Sequence, residues 1–184
     1  MTLPDFSFES VDADDYRRLR PDYSPAAVAW LAEEVGLGDG SCVLDLGAGP
    51  GSLTRRFVEA GVPVIGVEPA SNMRAKLAQV VGSDRALDGT AEAIPLSDST
   101  VDCVVAAQAV HWFRPQEAVI EIHRVLRPGG AFAWFWTVYG DGAAERSVEA
   151  RQDEPGHAPA ALVEIVNRHE PPGWLDQLLD MPPG

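Results

Sequence analysis

Val43-Leu44-Asp45-Leu46-Gly47-Ala48-Gly49-Pro50-Gly51 is the stretch whose reading decides the fold. Val43 to Leu46 is a short apolar run carrying one carboxylate, and it reads as a buried strand. Three glycines at alternate positions follow, which is poor material for a strand or a helix. Glycine opens backbone angles closed to other residues and leaves no side chain to block a ligand. From Ser52 the pattern turns helical, with Leu53, Phe57 and Ala60 spaced for one buried face. Strand, glycine turn and helix together form a nucleotide-binding layout.

The pattern repeats on both sides of this unit. Upstream, residues 14 to 20 read as a short polar helix ended by Pro21. Ser24-Pro25 then supplies a cap and a first-turn proline for a helix carrying Val28, Leu31, Ala32 and Val35, which Gly36 stops. Downstream, Val64 to Val67 is a second apolar run ending in Glu68-Pro69, and Ser71 caps a helix carrying Met73, Leu77 and Val80. A faint strand around Arg85 to Leu87 gives way to the loop Asp88 to Glu92, and Val101 to Ala107 is the next apolar run. Pro115 opens a helix with Ala118, Ile122, Val125 and Leu126 on one face, closed by Pro128-Gly129-Gly130, and Ala131 to Val138 is the last convincing strand. Strands alternating with helices predict right-handed βαβ units, hence an α/β, Rossmann-like parallel sheet of about five strands flanked by helices. The chain divides into a cap and first helix (1–40), the core (41–138) and an irregular segment (139–184). In the last segment only 160–169 reads as regular structure, a helix with Leu162, Ile165 and Val166 inward.

Composition narrows the function. At 184 residues the chain is long enough to bury one real core, and 46% apolar with 23% charged residues is ordinary for a globular domain. A formal net charge of −14 argues against nucleic acid and anionic membranes as partners, since both are gripped by Lys and Arg. Cys42 and Cys103 stand at the front of apolar runs and read as buried thiols of a reducing compartment; a thiolate nucleophile is the sharper alternative. No basic-then-apolar leader opens the sequence, and the apolar run from Ala131 to Val138 is too short to span a bilayer, so the expected location is the cytoplasm. His123, His157 and His169 are scattered without metal-ligand spacing, and no metal is expected.

The glycine spacing selects among nucleotides. A dinucleotide fingerprint needs G-x-G-x-x-G, but Ser52 stands where the third glycine belongs, and the Gly-Lys-Ser/Thr of a P-loop is absent. Asp45, two residues before the first glycine, would repel a pyrophosphate and welcome a cation. Glu68, at the end of the second strand, has two acceptor oxygens suited to the hydroxyls of a ribose, although a solvated strand end would look the same. Together these residues favour a nucleoside that is positively charged and carries no phosphate, a description that S-adenosylmethionine fits.

At this point the chain resembles a family. Asp45 to Gly51 is similar to motif I of the class I S-adenosylmethionine-dependent methyltransferases, and Gly66-Val67-Glu68-Pro69-Ala70 to the acidic ribose motif that follows it. Gly89 to Pro95 resembles the adenine-side loop, Gln108-Ala109-Val110-His111-Trp112-Phe113 the motif after strand four, and Arg124 to Gly130 the closing motif. The Gln-Ala-x-His-Trp-Phe segment, with Arg20-Pro21-Asp22-Tyr23 upstream, most resembles enzymes similar to trans-aconitate methyltransferase.

The resemblance implies that Gly47 to Gly51, with Ala48 and Gly49 between them, pass beneath the methionine part of S-adenosylmethionine, with Asp45 near its ammonium. Glu68 would hold the ribose, with Pro69 beside it, and Met73 would pack near the adenine. Ala91 would meet the adenine edge through its backbone, with Glu92 alongside; Thr90 stands where many relatives carry Asp. Gln108 and Ala109 would complete the cofactor site. Tyr16, Arg20, Tyr23 and Trp112 would form the lid or acceptor side. A general base is needed only where the acceptor carries a proton at neutral pH. His111 is the candidate for that role, or else a pocket residue that moves no proton. The implied activity is methylation of a small molecule at oxygen; the alternative is an S-adenosylmethionine-binding protein without turnover. The family usually ends in two more strands, the last antiparallel beside strand five, and the irregular segment reads as lacking both. A sheet ending at strand five would expose an apolar edge. Three outcomes fit the sequence: a truncated chain, an edge covered by the C-terminal helix, or an edge buried in a homodimer.

Overall fold

A computed structural model describes residues 8–19, 22–138 and 160–166. A 3-10 turn, Phe8–Ser10, leads into α1 (Ala13–Leu19), whose N-terminus Asp12 caps by accepting from the amides of Asp14 and Asp15 at 2.9 and 2.8 Å. Helix α2 (Pro25–Val35) starts at the Ser24 cap and ends at Gly36, which sits in the left-handed region at φ 68°, both as the sequence predicts. There follow β1 (Val43–Leu46), α3 (Ser52–Glu59), β2 (Val64–Val67), α4 (Ser71–Val81) and β3 (Ala86–Leu87). The second half comprises β4 (Val101–Ala107), a 3-10 turn Val110–Trp112, α5 (Pro115–Val125), β5 (Leu126–Val138) and β6 (Ala160–Val166).

The strands form one sheet in the order β3-β2-β1-β4-β5-β6. The first five are parallel, as the alternation of strand and helix predicts. Strand β6 corrects the C-terminal expectation. Residues 160–166 form an antiparallel strand against β5, from Val138↔Ala160 to Phe132↔Val166, rather than the first part of a helix. It lies where the resemblance puts the family's last strand, so the edge of β5 is covered from within the chain and needs neither a helix nor a homodimer to bury it. Leu162, Ile165 and Val166 fit a helical face, yet Val163, Ile165 and Val166 are β-branched, and pairing with β5 decides between the two. Leu126 is a second correction: it opens β5 rather than closing the face of α5. Arg20 and the tail from Pro171 to Gly184 lie outside the described residues.

Alternation along the strands builds two cores, one on each face. Leu44, Leu46, Val104, Ala106, Phe132 and Trp134 meet Ala118, Ile122 and Val125 of α5. Val43, Val64, Cys103, Val105, Ala133 and Phe135 meet Val28 and Leu31 of α2 and Leu53 and Phe57 of α3. Phe57 is fully buried, so Phe57→Ala would cost about 3–5 kcal/mol. Helix α4 crosses β2 so closely that a Cβ on Gly66 would lie 2.6 Å from Leu77 Cδ2. Both cysteines are free thiols, and burial pushes the Cys42 thiol up, which suits packing rather than nucleophilic attack. Among the described residues, no helix is long and apolar enough to cross a membrane, and no group of three His, Cys, Asp or Glu side chains is placed to hold a metal.

Topology now places the site. The order of connection reverses between β1 and β4, and in open α/β sheets the crevice beyond the strand ends at such a reversal receives ligands.

Candidate functional site

The glycine turn leaves β1 at that crevice. The Gly47 and Ala48 amides donate to Val67 O at 2.9 and 3.1 Å, which ties the turn to the end of β2. Gly47 has φ 69°, and a Cβ there would stand 2.8 Å from the Ala109 Cβ beyond β4. Glycine is therefore required twice at this position, for its backbone angle and for the close approach. Gly49 faces open space, while Gly51 backs onto Leu77 and Val80 of α4 at 3.2 Å. The first two glycines line the cavity; the third packs a helix.

Two carboxylates stand behind and beside the turn. Asp45, in the middle of β1, is 1% exposed; its Oδ2 accepts from Thr54 Oγ1 at 2.5 Å, and its Oδ1 is buried without a partner. Burial pushes its carboxyl up to about 7 against the opposing pull of the Thr54 hydroxyl and amide, and Glu68 adds a smaller push. Glu68 follows β2, with Oε2 accepting from the Gly49 amide at 2.8 Å and Oε1 from the Ala70 amide at 2.9 Å. Burial raises its carboxyl too, outweighing these two donors. Glu68 therefore closes the glycine turn as well as facing the cavity, and each of its oxygens keeps a lone pair for a further donor.

A cavity of about 190 Å³ lies between these groups and the segments around them. Gly47, Gly49, Glu68, Pro69 and Met73 make one wall. Gly89, Thr90, Ala91 and Glu92 make a second. There Glu92 Oε1 accepts from the Arg114 amide at 2.7 Å. Burial works to raise the Glu92 carboxyl, but the Arg114 amide and the Thr90 hydroxyl outweigh it and hold the group below its ordinary range. Ala107, Gln108 and Ala109 close the end beside β4, with Trp112 and Phe113 beyond them. Gln108 takes φ 54°, a left-handed angle that costs a non-glycine residue about 1–2 kcal/mol.

The N-terminal segment brings Phe8 and Tyr16 to the cavity, with Phe8 edge-on to both Tyr16 and Trp112. Helix α4 anchors that segment. Its cap position is Ala70, which has no side chain to offer, and Glu9 supplies the missing acceptor by taking the Ser71 amide and hydroxyl at 2.7 and 2.8 Å. Asn72 Nδ2 donates to the Phe8 and Val11 carbonyls at 2.9 and 2.6 Å.

Of the residues expected from sequence, Tyr16, Gly47, Gly49, Glu68, Pro69, Met73, Thr90, Ala91, Glu92, Gln108, Ala109 and Trp112 share this cavity. Asp45, Ala48 and Gly51 are buried and do not line it. Tyr23 is not brought there: it is buried in the core under the sheet, edge-on to Phe135 at 6.1 Å. His111 is exposed and stands outside the lining, its ring stacked on Trp136 at 5.7 Å and tilted against Trp112 at 5.0 Å. Phe8, Gly89, Ala107 and Phe113 line the cavity without having been singled out as site residues. Gly89 and Phe113 belong to quoted motifs and Ala107 ends a recognised strand, but Phe8 carries no sequence signal at all.

The donor set fits S-adenosylmethionine. An orphaned buried carboxylate oxygen suits an ammonium, Glu68 has capacity left for ribose hydroxyls, and the wall against Gly47 is one that any Cβ would fill. Comparison with known proteins agrees. Residues 44–134 match the family model described as a methyltransferase domain. An uncharacterized methyltransferase of Mycobacterium tuberculosis is 47% identical over 121 residues, 66% of this chain and 48% of the relative, so the chain spans about half of that relative's length. An uncharacterized methyltransferase of a Geobacillus species is 30% identical over 159 residues, covering 83% of this chain and 71% of the relative. Among solved structures, a SAM-dependent methyltransferase from Aquifex aeolicus superposes with a TM-score of 0.54 at 25% identity, over 70% of this chain and 74% of that one.

Proposed function

The chain belongs to the methyltransferase family, and from that premise we propose that it binds S-adenosylmethionine in the β1–β4 crevice and methylates a small molecule at oxygen, a carboxylate first among the acceptors. The observation that carries the reading is the pair of buried carboxylates at the glycine turn, Asp45 and Glu68, which have acceptor capacity left, beside a cavity with no Lys or Arg among its lining residues.

When bound, S-adenosylmethionine supplies a methyl group on a sulfonium that leaves without acid assistance. The chain's own work is to hold, orient and keep out water. Glu68 takes the ribose hydroxyls with its remaining lone pairs while keeping Gly49 in place. Asp45 draws the ammonium toward the turn, with Ala48 and Gly51 shaping the backbone in front of it. Pro69 and Met73 flank the base, and Thr90, Ala91 and Glu92 meet its edge. Because Glu92 already receives Thr90 and Arg114, the base meets a carboxylate whose orientation is fixed. Phe8 and Tyr16 cover the cavity, Gln108 and Ala109 complete the cofactor site beside β4, and Trp112 and Phe113 face the acceptor end.

The choice of acceptor follows from protonation. Of the two carboxylates that line the cavity, Glu92 is held below its ordinary range and Glu68 is given to the Gly49 and Ala70 amides and the ribose, so neither is assigned the part of a base. A carboxylate acceptor is already anionic and needs no base. His111 takes a proton only where the acceptor is a hydroxyl. The test is transfer from methyl-labelled S-adenosylmethionine across a panel of acids, alcohols and amines. Label released from the product as volatile methanol in alkali marks a methyl ester and supports the reading; alkali-stable label throughout overturns the carboxylate assignment.

A further inference from the structure

The wall formed by Gly89, Thr90, Ala91 and Glu92 belongs to a connection that runs from the end of β3 at Leu87 to the start of β4 at Val101. It has almost no regular structure. An isolated bridge joins Thr90 to Ala93, and Leu96 N donates to Ile94 O at 2.8 Å. What shapes it comes from α5. Arg124 uses all five of its N–H donors. Nε and Nη2 donate to Glu121 Oε1 and Oε2, each at 2.7 Å. Nη2 also donates to Ile94 O at 2.9 Å, and Nη1 donates to Leu96 O at 2.7 Å and to Asp98 Oδ1 at 3.0 Å. Glu121 completes the clamp by accepting the Ile94 amide at 2.8 Å. Ile94 is thus gripped at both its N–H and its C=O, three residues from Ala91, and both residues are about 4% exposed. Neither Arg124 nor Glu121 lines the cavity.

We propose that Arg124 and Glu121 are positioning residues for the nucleoside: by fixing Ile94 and Leu96 they set the backbone of Thr90 to Glu92 against the adenosine half of S-adenosylmethionine. The inference rests on the cofactor reading above and extends it to residues that touch no ligand. A planar fork with five donors in fixed directions can hold two carbonyls and two carboxylates at once; an ammonium, a point charge with three donors, cannot. The glycine-turn side of the cavity does not depend on this clamp, so its loss should act on one half of the ligand only.

The experiment is calorimetry on the full chain with two probes, S-adenosylhomocysteine and 5′-methylthioadenosine, which keeps the adenosine but lacks the amino acid. In Arg124→Ala both affinities fall by the same factor, about tenfold, as expected when a loop loses charge-assisted hydrogen bonds that fix its shape. Glu121→Gln, a milder change, moves both probes in the same direction and covers the case in which Arg124→Ala does not fold. Arg124→Lys keeps the charge but not the fork and stays at the weakened affinity. Arg127→Ala removes an equal charge from an arginine paired with Asp102, away from the cavity, and leaves both probes unchanged. A purely structural role would lower the melting temperature of Arg124→Ala and Glu121→Gln and leave both affinities at the wild-type value; that result overturns the proposal, as does a loss confined to S-adenosylhomocysteine. Wild-type protein that binds neither probe overturns the cofactor reading itself, and the positioning role with it.

Discussion

The two long walls of the cavity are built in opposite ways. On the glycine-turn side two carboxylates, Glu68 in the wall and Asp45 buried behind it, are pushed upward by burial with acceptor capacity left over. On the loop side, side chains fix the wall from behind. Burial works to raise Glu92, but the Arg114 amide and Thr90 outweigh it, and the Arg124 fork pulls Glu121 down against a smaller effect of burial. One wall is short of donors and the other has what it needs. The difference teaches where binding free energy is to be gained: a ligand bringing an ammonium and hydroxyls satisfies the turn side, while the loop side offers it a fixed shape.

The largest effect that would break this contrast is in stability against pH. Burial pushes the Asp45 carboxyl up to about 7 in the folded chain, against about 4 for an unfolded Asp, so between these values the native state holds more protons. Its contribution is fully present below about pH 4 and is lost as pH rises through about 7, a swing of up to about 4 kcal/mol for a shift of this size. Denaturant unfolding of the wild type and of Asp45→Asn at a series of pH values should show the mutant gaining relative stability across that window. Parallel curves would mean that the turn side carries no such cost. By the same linkage, S-adenosylhomocysteine should release protons on binding near pH 6, seen as a dependence of the heat on buffer ionisation, and Asp45→Asn should reduce the release.

Next in size is Glu68→Ala, which removes the acceptor of the Gly49 amide together with the ribose contact. A loss on the order of 100-fold in S-adenosylhomocysteine affinity is expected from charge-assisted hydrogen bonds of this kind. Unchanged affinity would remove the ribose assignment. Gly47→Ala follows: the added Cβ meets Ala109 at 2.8 Å and the backbone stays at φ 69°, so a destabilisation of about 1–3 kcal/mol is expected in denaturant unfolding. The smallest effect is that of His111→Gln. With carboxylate acceptors, turnover should stay within about twofold of wild type, because no proton has to move; a large fall there would make His111 part of the chemistry.

The same contrast explains what could be read from the sequence. The turn wall is contiguous: Gly47, Gly49 and, after one helix, Glu68 announce themselves by spacing and line the cavity, while Asp45 lies buried behind them. The parallel sheet was equally legible, since its apolar runs and intervening helices are local patterns. The loop wall was only half legible. Thr90 to Glu92 could be quoted, but Arg124 reaches Ile94 across thirty positions, and nothing in the spacing of an arginine reveals a five-donor clamp. Phe8 has the same difficulty, being placed by Asn72 and Glu9 contacts that span more than sixty positions. Strand β6 was misread because its seven residues satisfy helical spacing, and only the neighbouring edge of β5 shows that they pair. Tyr23 and His111 were assigned by motif, yet the fold gives Tyr23 to the core and His111 to the Trp112–Trp136 cluster outside the cavity.

The central claim, that the β1–β4 crevice is built for a cationic, phosphate-free nucleoside, is tested most directly by titrating the full chain with S-adenosylhomocysteine and, separately, with NAD. The account predicts saturable one-to-one binding of S-adenosylhomocysteine, lost in Glu68→Ala, and no heat with NAD. Binding of NAD that Glu68→Ala abolishes, with none of S-adenosylhomocysteine, would contradict it.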